Sequence, residues 1–137
     1  MLKRMATTLI AMSALLVGGA GISSAAEWNG SCENSEFCMY NGTSFTGNRA
    51  DLVATPADDF TSFWGWDFPG TSVDVDNATS SSWNRTIMQI RLYENSNWGG
   101  SEVLHRASGA GCIGGTCPSY SGLGLFNNKA SSMQSGV

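Results

Sequence analysis

The sequence predicts an all-β fold, a β-sandwich with short helical turns in its connections. Composition, strand periodicity and an internal repeat each point there. Of 137 residues, 13% are charged and 17 are Gly, whereas soluble domains carry roughly 25% charged residues. Ser, Thr and Asn are abundant and long Glu/Lys/Leu stretches are missing, which excludes an all-helical protein. The length suits one domain and is short for two.

The chain opens with Lys3 and Arg4, an apolar run from Leu9 to Val17 and small residues ending at Ala26. This pattern marks a secretory signal peptide over 1–26, with the mature domain over 27–137. The run falls short of the roughly 18 residues that a membrane span needs. Formal net charge is −4, and loss of Lys3 and Arg4 leaves five basic residues against eleven acidic ones, or −6. Such a balance argues against a nucleic-acid or anionic membrane partner, since both demand a basic face. A secreted, extracellular monomer is expected.

Cys32, Cys38, Cys112 and Cys117 all lie in the exported part, where oxidation makes two disulfides the default. Three pairings are formally open. Two short loops, Cys32–Cys38 and Cys112–Cys117, are expected because each pair brackets turn-rich residues. Zinc is disfavoured by the lack of a CxxC pair and by the single histidine. That histidine, His105, also excludes machinery built on a His cluster and reads as a surface or strand residue.

Strands are expected over Phe37–Tyr40 and Thr86–Tyr93, the latter setting Met88, Ile90 and Leu92 on one face. Helical turns are expected around Asp51–Val53 and Asp58–Phe60, with Pro56 interrupting. The segment 60–70 (FTSFWGWDFPG) is dense in aromatics. It reads first as core or inter-motif packing, and second as an adhesive loop. The four Asn-x-Ser/Thr matches, at Asn29, Asn41, Asn77 and Asn84, read as compositional coincidence.

Two strings recur in order. Tyr40 to Gly47 (YNGTSFTG) and Tyr93 to Gly100 (YENSNWGG) share aromatic, four residues, aromatic, one residue and glycine, at an offset of 53. Asp76 to Ser81 (DNATSS) and Asn127 to Ser132 (NNKASS) follow at an offset of 51. The first string reads as a hairpin whose second aromatic packs back on the first while glycine supplies a positive φ. The second offers oxygens suited either to a hard cation such as calcium or to plain turns.

These paired strings resemble the two Greek-key motifs of a βγ-crystallin-type domain, covering about 32–83 and 86–137. The resemblance implies a two-Greek-key sandwich and up to two Ca2+ sites. Loop ligands would be Asp76, Asn77 and Ser80, and Asn127, Asn128 and Ser131. Each site would add a backbone carbonyl from the hairpin of the other motif, at Asn41 or Glu94. Neutral Asn127 in place of Asp76 implies a weaker second site.

The cysteine spacing, with Tyr40 shortly after Cys38 and Tyr120 shortly after Cys117, is also similar to the secreted Streptomyces-type metalloproteinase inhibitor family. That resemblance implies a non-enzymatic inhibitor of an extracellular thermolysin-like protease. Its substrate-like loop would be Cys112, Ile113, Gly114, Gly115 and Cys117, with the inhibitory bond at Cys112–Ile113. Gly109, Gly111, Gly114 and Gly115 around that bond depart from the family's pattern. A calcium-stabilised binding or structural module and a killer-toxin-like effector are the alternative classes. An enzyme is disfavoured, because nothing in the spacing of Asp58, Asp59, Asp67, Asp74 and Asp76 pairs two carboxylates.

Overall fold

Strand β1, Glu36–Tyr40, is buried along its whole length because it lies between two neighbours. It pairs antiparallel with β2, Arg49–Val53, from Glu36↔Val53 to Tyr40↔Arg49, and with β3, Ser81–Asn84. In the second half, β4, Ile90–Asn95, pairs antiparallel with β5, Gly99–His105, and with β7, Ser132–Ser135. The two-residue β6, Ser119–Tyr120, pairs with β3. The sheets run β2-β1-β3-β6 and β5-β4-β7. This computed structural model describes residues 27–54, 59–107 and 119–136, so the expected signal peptide lies outside the described residues.

The core forms where the sheets face each other. Phe37, Met39, Ala50 and Leu52 of the first meet Ile90, Leu92 and Met133 of the second, with Phe63, Phe68, Val75, Leu123, Phe126 and Ala130 from the connections. Truncating a buried aromatic of this set costs about 3–5 kcal/mol, because transfer energy is lost and a cavity remains.

The halves are related residue by residue. Phe37 pairs with Leu52 as Ile90 pairs with His105, at the offset of 53 read from the hairpins. Each half also completes the other's sheet. Tyr120 pairs with Ser82 on β3, and Phe60 forms an isolated bridge to Met133 on β7. Just beyond these points the Phe63 amide donates to Ser131 O and the Leu123 amide to Ser80 O. The offset between lent segments is therefore 60, not 53. Motif two holds seven more residues between His105 and Tyr120 than motif one between Leu52 and Phe60. Motif one holds nine more between Phe63 and Ser80 than motif two between Leu123 and Ser131. Each copy thus carries one insertion, and the two fall at different points.

The Tyr40 and Phe45 rings pack edge to face with centroids 5.7 Å apart, as the repeat predicts. Trp98 in the second copy instead directs its indole N–H to Met133 O at 3.1 Å. Gly47 and Gly100 both have φ +79°. Two sequence expectations are corrected. Asp51–Val53 is part of β2 and not a helical turn, because β1 needs a partner to bury Ala50 and Leu52. The Asp51 carboxylate accepts from the amides of Asn29 and Gly30 at 2.8 and 2.6 Å. The second long strand starts at Ile90 and not Thr86, since Asn84 Oδ1 accepts from the Thr86 amide and Thr86 Oγ1 from the Met88 amide. Such side-chain bonds divert the backbone from a ladder, and Ile87 is left 66% exposed. Asp58 lies outside the described residues, while Phe60 makes its bridge in extended form.

Cys32 and Cys38 are disulfide-bonded, with Cα atoms 5.9 Å apart. Closing so short a ring stabilises the fold by about 2 kcal/mol through the unfolded state. Beside it Arg85 donates to Cys32 O and Asn34 Oδ1, and its guanidinium lies 5.0 Å from the Trp83 ring centroid. Cys112 and Cys117 lie outside the described residues.

Gly47→Ala tests the hairpin geometry. A Cβ there would stand 2.2 Å from Asn41 Oδ1 on a backbone of positive φ. The expected loss is about 1–3 kcal/mol in denaturant unfolding.

Candidate functional site

The two polar strings form adjoining loops that interlock. The Asn77 amide donates to Ala130 O and the Asn128 amide to Thr79 O, both at 2.9 Å. Ser80 Oγ donates to Asn128 Oδ1 at 2.9 Å and Ser131 Oγ to Asn77 Oδ1 at 3.2 Å. Asn77 and Asn128 adopt positive φ, 55° and 57°, a region that Asn tolerates through its short polar side chain. Asn77 and Ser80 of one loop therefore meet Ser131 and Asn128 of the other.

Each loop is also tied to its own hairpin. The Ser80 amide donates to Tyr40 O, next to Asn41, and the Ser131 amide to Tyr93 O, next to Glu94. One residue on, Ser81 Oγ donates to Gly42 O and accepts from the Phe45 amide. Ser132 Oγ does the same with Asn95 O and the Trp98 amide. Sequence reasoning assigned no role to these two serines, although they close both repeated strings. Their hydroxyls hold hairpins whose tips carry consecutive positive-φ residues, Ser44–Phe45 and Asn97–Trp98.

The loops differ electrostatically. Asp76 Oδ2 accepts from Asn77 Nδ2, while Asp76 Oδ1 is buried without a hydrogen-bond partner. Hard anionic oxygen in that state suits a divalent cation. In the other loop Asn127 is neutral and the Lys129 ammonium lies 3.2 Å from a Glu94 carboxylate oxygen. The Ser101 hydrogen bond and then Lys129 hold the Glu94 carboxyl below its usual range. The first loop thus fits a cation, and the second supplies its own positive charge. Among the described residues no group of three or more His, Cys, Asp or Glu could hold a metal, which bears on carboxylate clusters and not on amide, hydroxyl and carbonyl donors.

The sequence-predicted residues Cys112, Ile113, Gly114, Gly115 and Cys117 lie outside the described residues. The flanking residues on either side of them are firmly placed. His105, at the end of β5, is fully buried. Its ring packs edge-on to Phe37 at 5.0 Å and Tyr120 at 4.7 Å, and Nε2 lies 2.6 Å from Ser82 Oγ. Tyr120 Oη donates to Leu104 O at 3.0 Å. The lone histidine is thus a strand residue and not a surface one. It occupies the place of Leu52 in the first motif, which the repeat offset could have revealed.

Sheet order, edge exchange and paired hairpins define a βγ-crystallin-type domain, and solved structures agree. A structure from work on the evolution of the eye-lens βγ-crystallin domain fold matches with TM-score 0.56 and 13% identity, over 77% of this chain and 89% of that one. The N-terminal domain of Protein S matches with TM-score 0.53 and 20% identity, over 73% and 93%. A βγ-crystallin domain from Flavobacterium johnsoniae matches with TM-score 0.51 and 19% identity, over 72% and 91%. No curated protein matches the sequence. The model of peptidase inhibitor family I36 matches residues 25–104, more than half of the chain, and the protein belongs to that family. It is a peptidase inhibitor and not an enzyme.

Burial pushes His105 down from 6.5 to about 3, against a smaller opposing effect of the Val103 backbone. The unfolded chain takes up this proton near pH 6.5, whereas the folded chain does so only near pH 3. The stability that neutral His105 contributes is therefore complete above pH 6.5 and is lost as pH falls toward 3. His105→Leu should flatten the pH dependence of unfolding free energy between pH 6 and 4, by up to about 1.4 kcal/mol per pH unit.

Proposed function

We propose that this inhibitor is secreted and blocks a thermolysin-like metalloprotease by presenting Cys112–Ile113 as a substrate-like bond. The longer connection of motif two supports this reading, because the chain belongs to an inhibitor family and that connection, which follows the matched residues 25–104, contains the second cysteine pair. A disulfide between Cys112 and Cys117 would hold the bond in one conformation before binding, which reduces the ordering cost of association. Ile113 supplies an apolar side chain for a pocket on the leaving side of the bond. His105 and Tyr120 give the insertion fixed flanking residues.

The test is a titration of mature, oxidised protein against a thermolysin-like metalloprotease and a subtilisin-like serine protease. Stoichiometric inhibition of the metalloprotease is expected. Ile113→Gly should raise the inhibition constant about tenfold or more, the worth of a buried aliphatic side chain. An unchanged constant would overturn the assignment of the bond. Inhibition of the serine protease alone would overturn the target class.

Calcium binding at the Asp76 loop is a second, compatible reading, favoured by the buried, unpartnered Asp76 Oδ1. Asp76, Asn77 and Ser80, with Ser131 across the interlock, are the side chains that would hold the ion. Bound calcium would neutralise the carboxylate and tie the two loops together. Asn127 and Asn128 would hold at most a weaker second ion beside Lys129. Saturating calcium is expected to raise the melting temperature, by mass action worth about 2.7 kcal/mol at a hundredfold excess over Kd. Asp76→Ala should abolish the rise and Asn127→Ala should leave most of it. A melting curve indifferent to chelator would overturn calcium binding and leave the strings their hydrogen-bonded interlock alone.

A further inference from the structure

We propose that the nine-residue insertion of motif one is a docking surface for a basic, Lys- or Arg-bearing segment of a partner protein. This goes beyond protease inhibition and involves a different face-forming segment from the one that holds Cys112 and Cys117. Motif two passes from Leu123 to Ser131 without an equivalent excursion, so closing the fold does not require it.

The aromatic segment divides by face. Phe63, Phe68 and Val75 are fully buried and anchor the excursion, whereas Trp64 is 78% exposed, Trp66 44% and Val73 40%. Core packing accounts for the first three and not for the others. Indole surface left in water is a cost unless something covers it.

The backbone of the excursion and the Trp66 ring are held in place. The Phe68 amide donates to Val73 O and the Val75 amide to Trp66 O, both at 2.8 Å, and Asp67 bridges to Asp74. The Gly65 amide donates to Asp74 Oδ2 at 2.9 Å. Trp28 sends its indole N–H to Asp67 O at 3.0 Å and meets the Trp66 ring edge to face at 5.2 Å. A platform ordered in advance forfeits little entropy when a partner arrives.

Charge selects the partner. The excursion between Phe63 and Ser80 carries no Lys or Arg. Asp67 and Asp74 lie on the excursion itself. Arg49 is already engaged beside the excursion, with its Nε on the carbonyl of Gly30, which lies against Pro69, and its guanidinium 5.8 Å from the Tyr40 ring centroid. Indole faces attract cations through their quadrupole, and neighbouring carboxylates add to that attraction. An anionic partner would be repelled. A neutral sugar would use the rings and gain nothing from the carboxylates.

The experiment titrates the oxidised protein with a short peptide alternating Arg and Gly, using tryptophan fluorescence and calorimetry. A matching Glu/Gly peptide and an N-acetylglucosamine oligosaccharide form the other arms. Binding of the Arg peptide alone is expected, weakening as salt is raised. Trp64→Ala should reduce its affinity about fivefold or more at an unchanged melting temperature. Asp67→Asn, nearly isosteric, should weaken it also. Leu125→Ala, removing a 96% exposed side chain on the connection to β7, should change nothing. Absence of Arg-peptide binding, equal binding by Trp64→Ala, or preference for the oligosaccharide would each overturn the proposal.

Discussion

The edge segment that each motif lends to the other is the constraint on which the rest of the molecule depends. β3 has β6 of motif two as its outer neighbour, and β7 has Phe60 of motif one. Backbone groups along a strand edge need partners, and here the partner lies in the other half of the chain. The exchange reaches the hairpins as well. The tip of the first is bonded through the Ser44 amide to Ser121 O, and the tip of the second through the Asn97 amide to Thr61 O. A local change in one half is thus felt at the hairpin of the other, and the interlock of the polar loops follows from the same exchange.

This mutual dependence makes the polar loops more than turns. Asn77, Ser80, Asn128 and Ser131 join copies that share no continuous strand there. Their hydrogen bonds are each worth about 1 kcal/mol net, and an oxygen-seeking ion would draw on the same atoms. The asymmetry between Asp76 and Lys129 lets one loop keep an unspent carboxylate oxygen while the other settles its charge internally. The repeat gives both loops the same geometry, and single residues give the two copies different chemistry.

Much of this was legible in the sequence because hairpins and polar loops impose strict local demands. A tyrosine, an aromatic and a positive-φ glycine at fixed spacing revealed both hairpins, and the DNATSS and NNKASS strings revealed the loops. The Cys32–Cys38 ring was readable from its turn-rich contents. The lent edges were not, since the insertions shift the offset to 60 over just that stretch, and a two-residue strand such as Ser119–Tyr120 has no periodicity to find. Asp51–Val53 misled because an acidic residue in a strand reads as a helix start until Asn29 and Gly30 are seen donating to it. Thr86–Gln89 misled because alternation alone does not disclose the side-chain bonds of Asn84 and Thr86. In the aromatic segment the sequence could not tell phenylalanines that face inward from tryptophans that face out.

The placement of the insertions also bears on how such a scaffold acquires new parts. Internal two-fold symmetry gives every acceptable splice point a twin. The connection between Leu52 and Phe60 is the twin of the one that accommodates the second cysteine pair, and the connection between Leu123 and Ser131 is the twin of the one that carries the tryptophans. Two of four equivalent ports are enlarged and two remain minimal. A designer wishing to add a loop to this protein would therefore begin at the short twins, where the fold has already shown by its other half that extra chain can leave and return without disturbing the sheets.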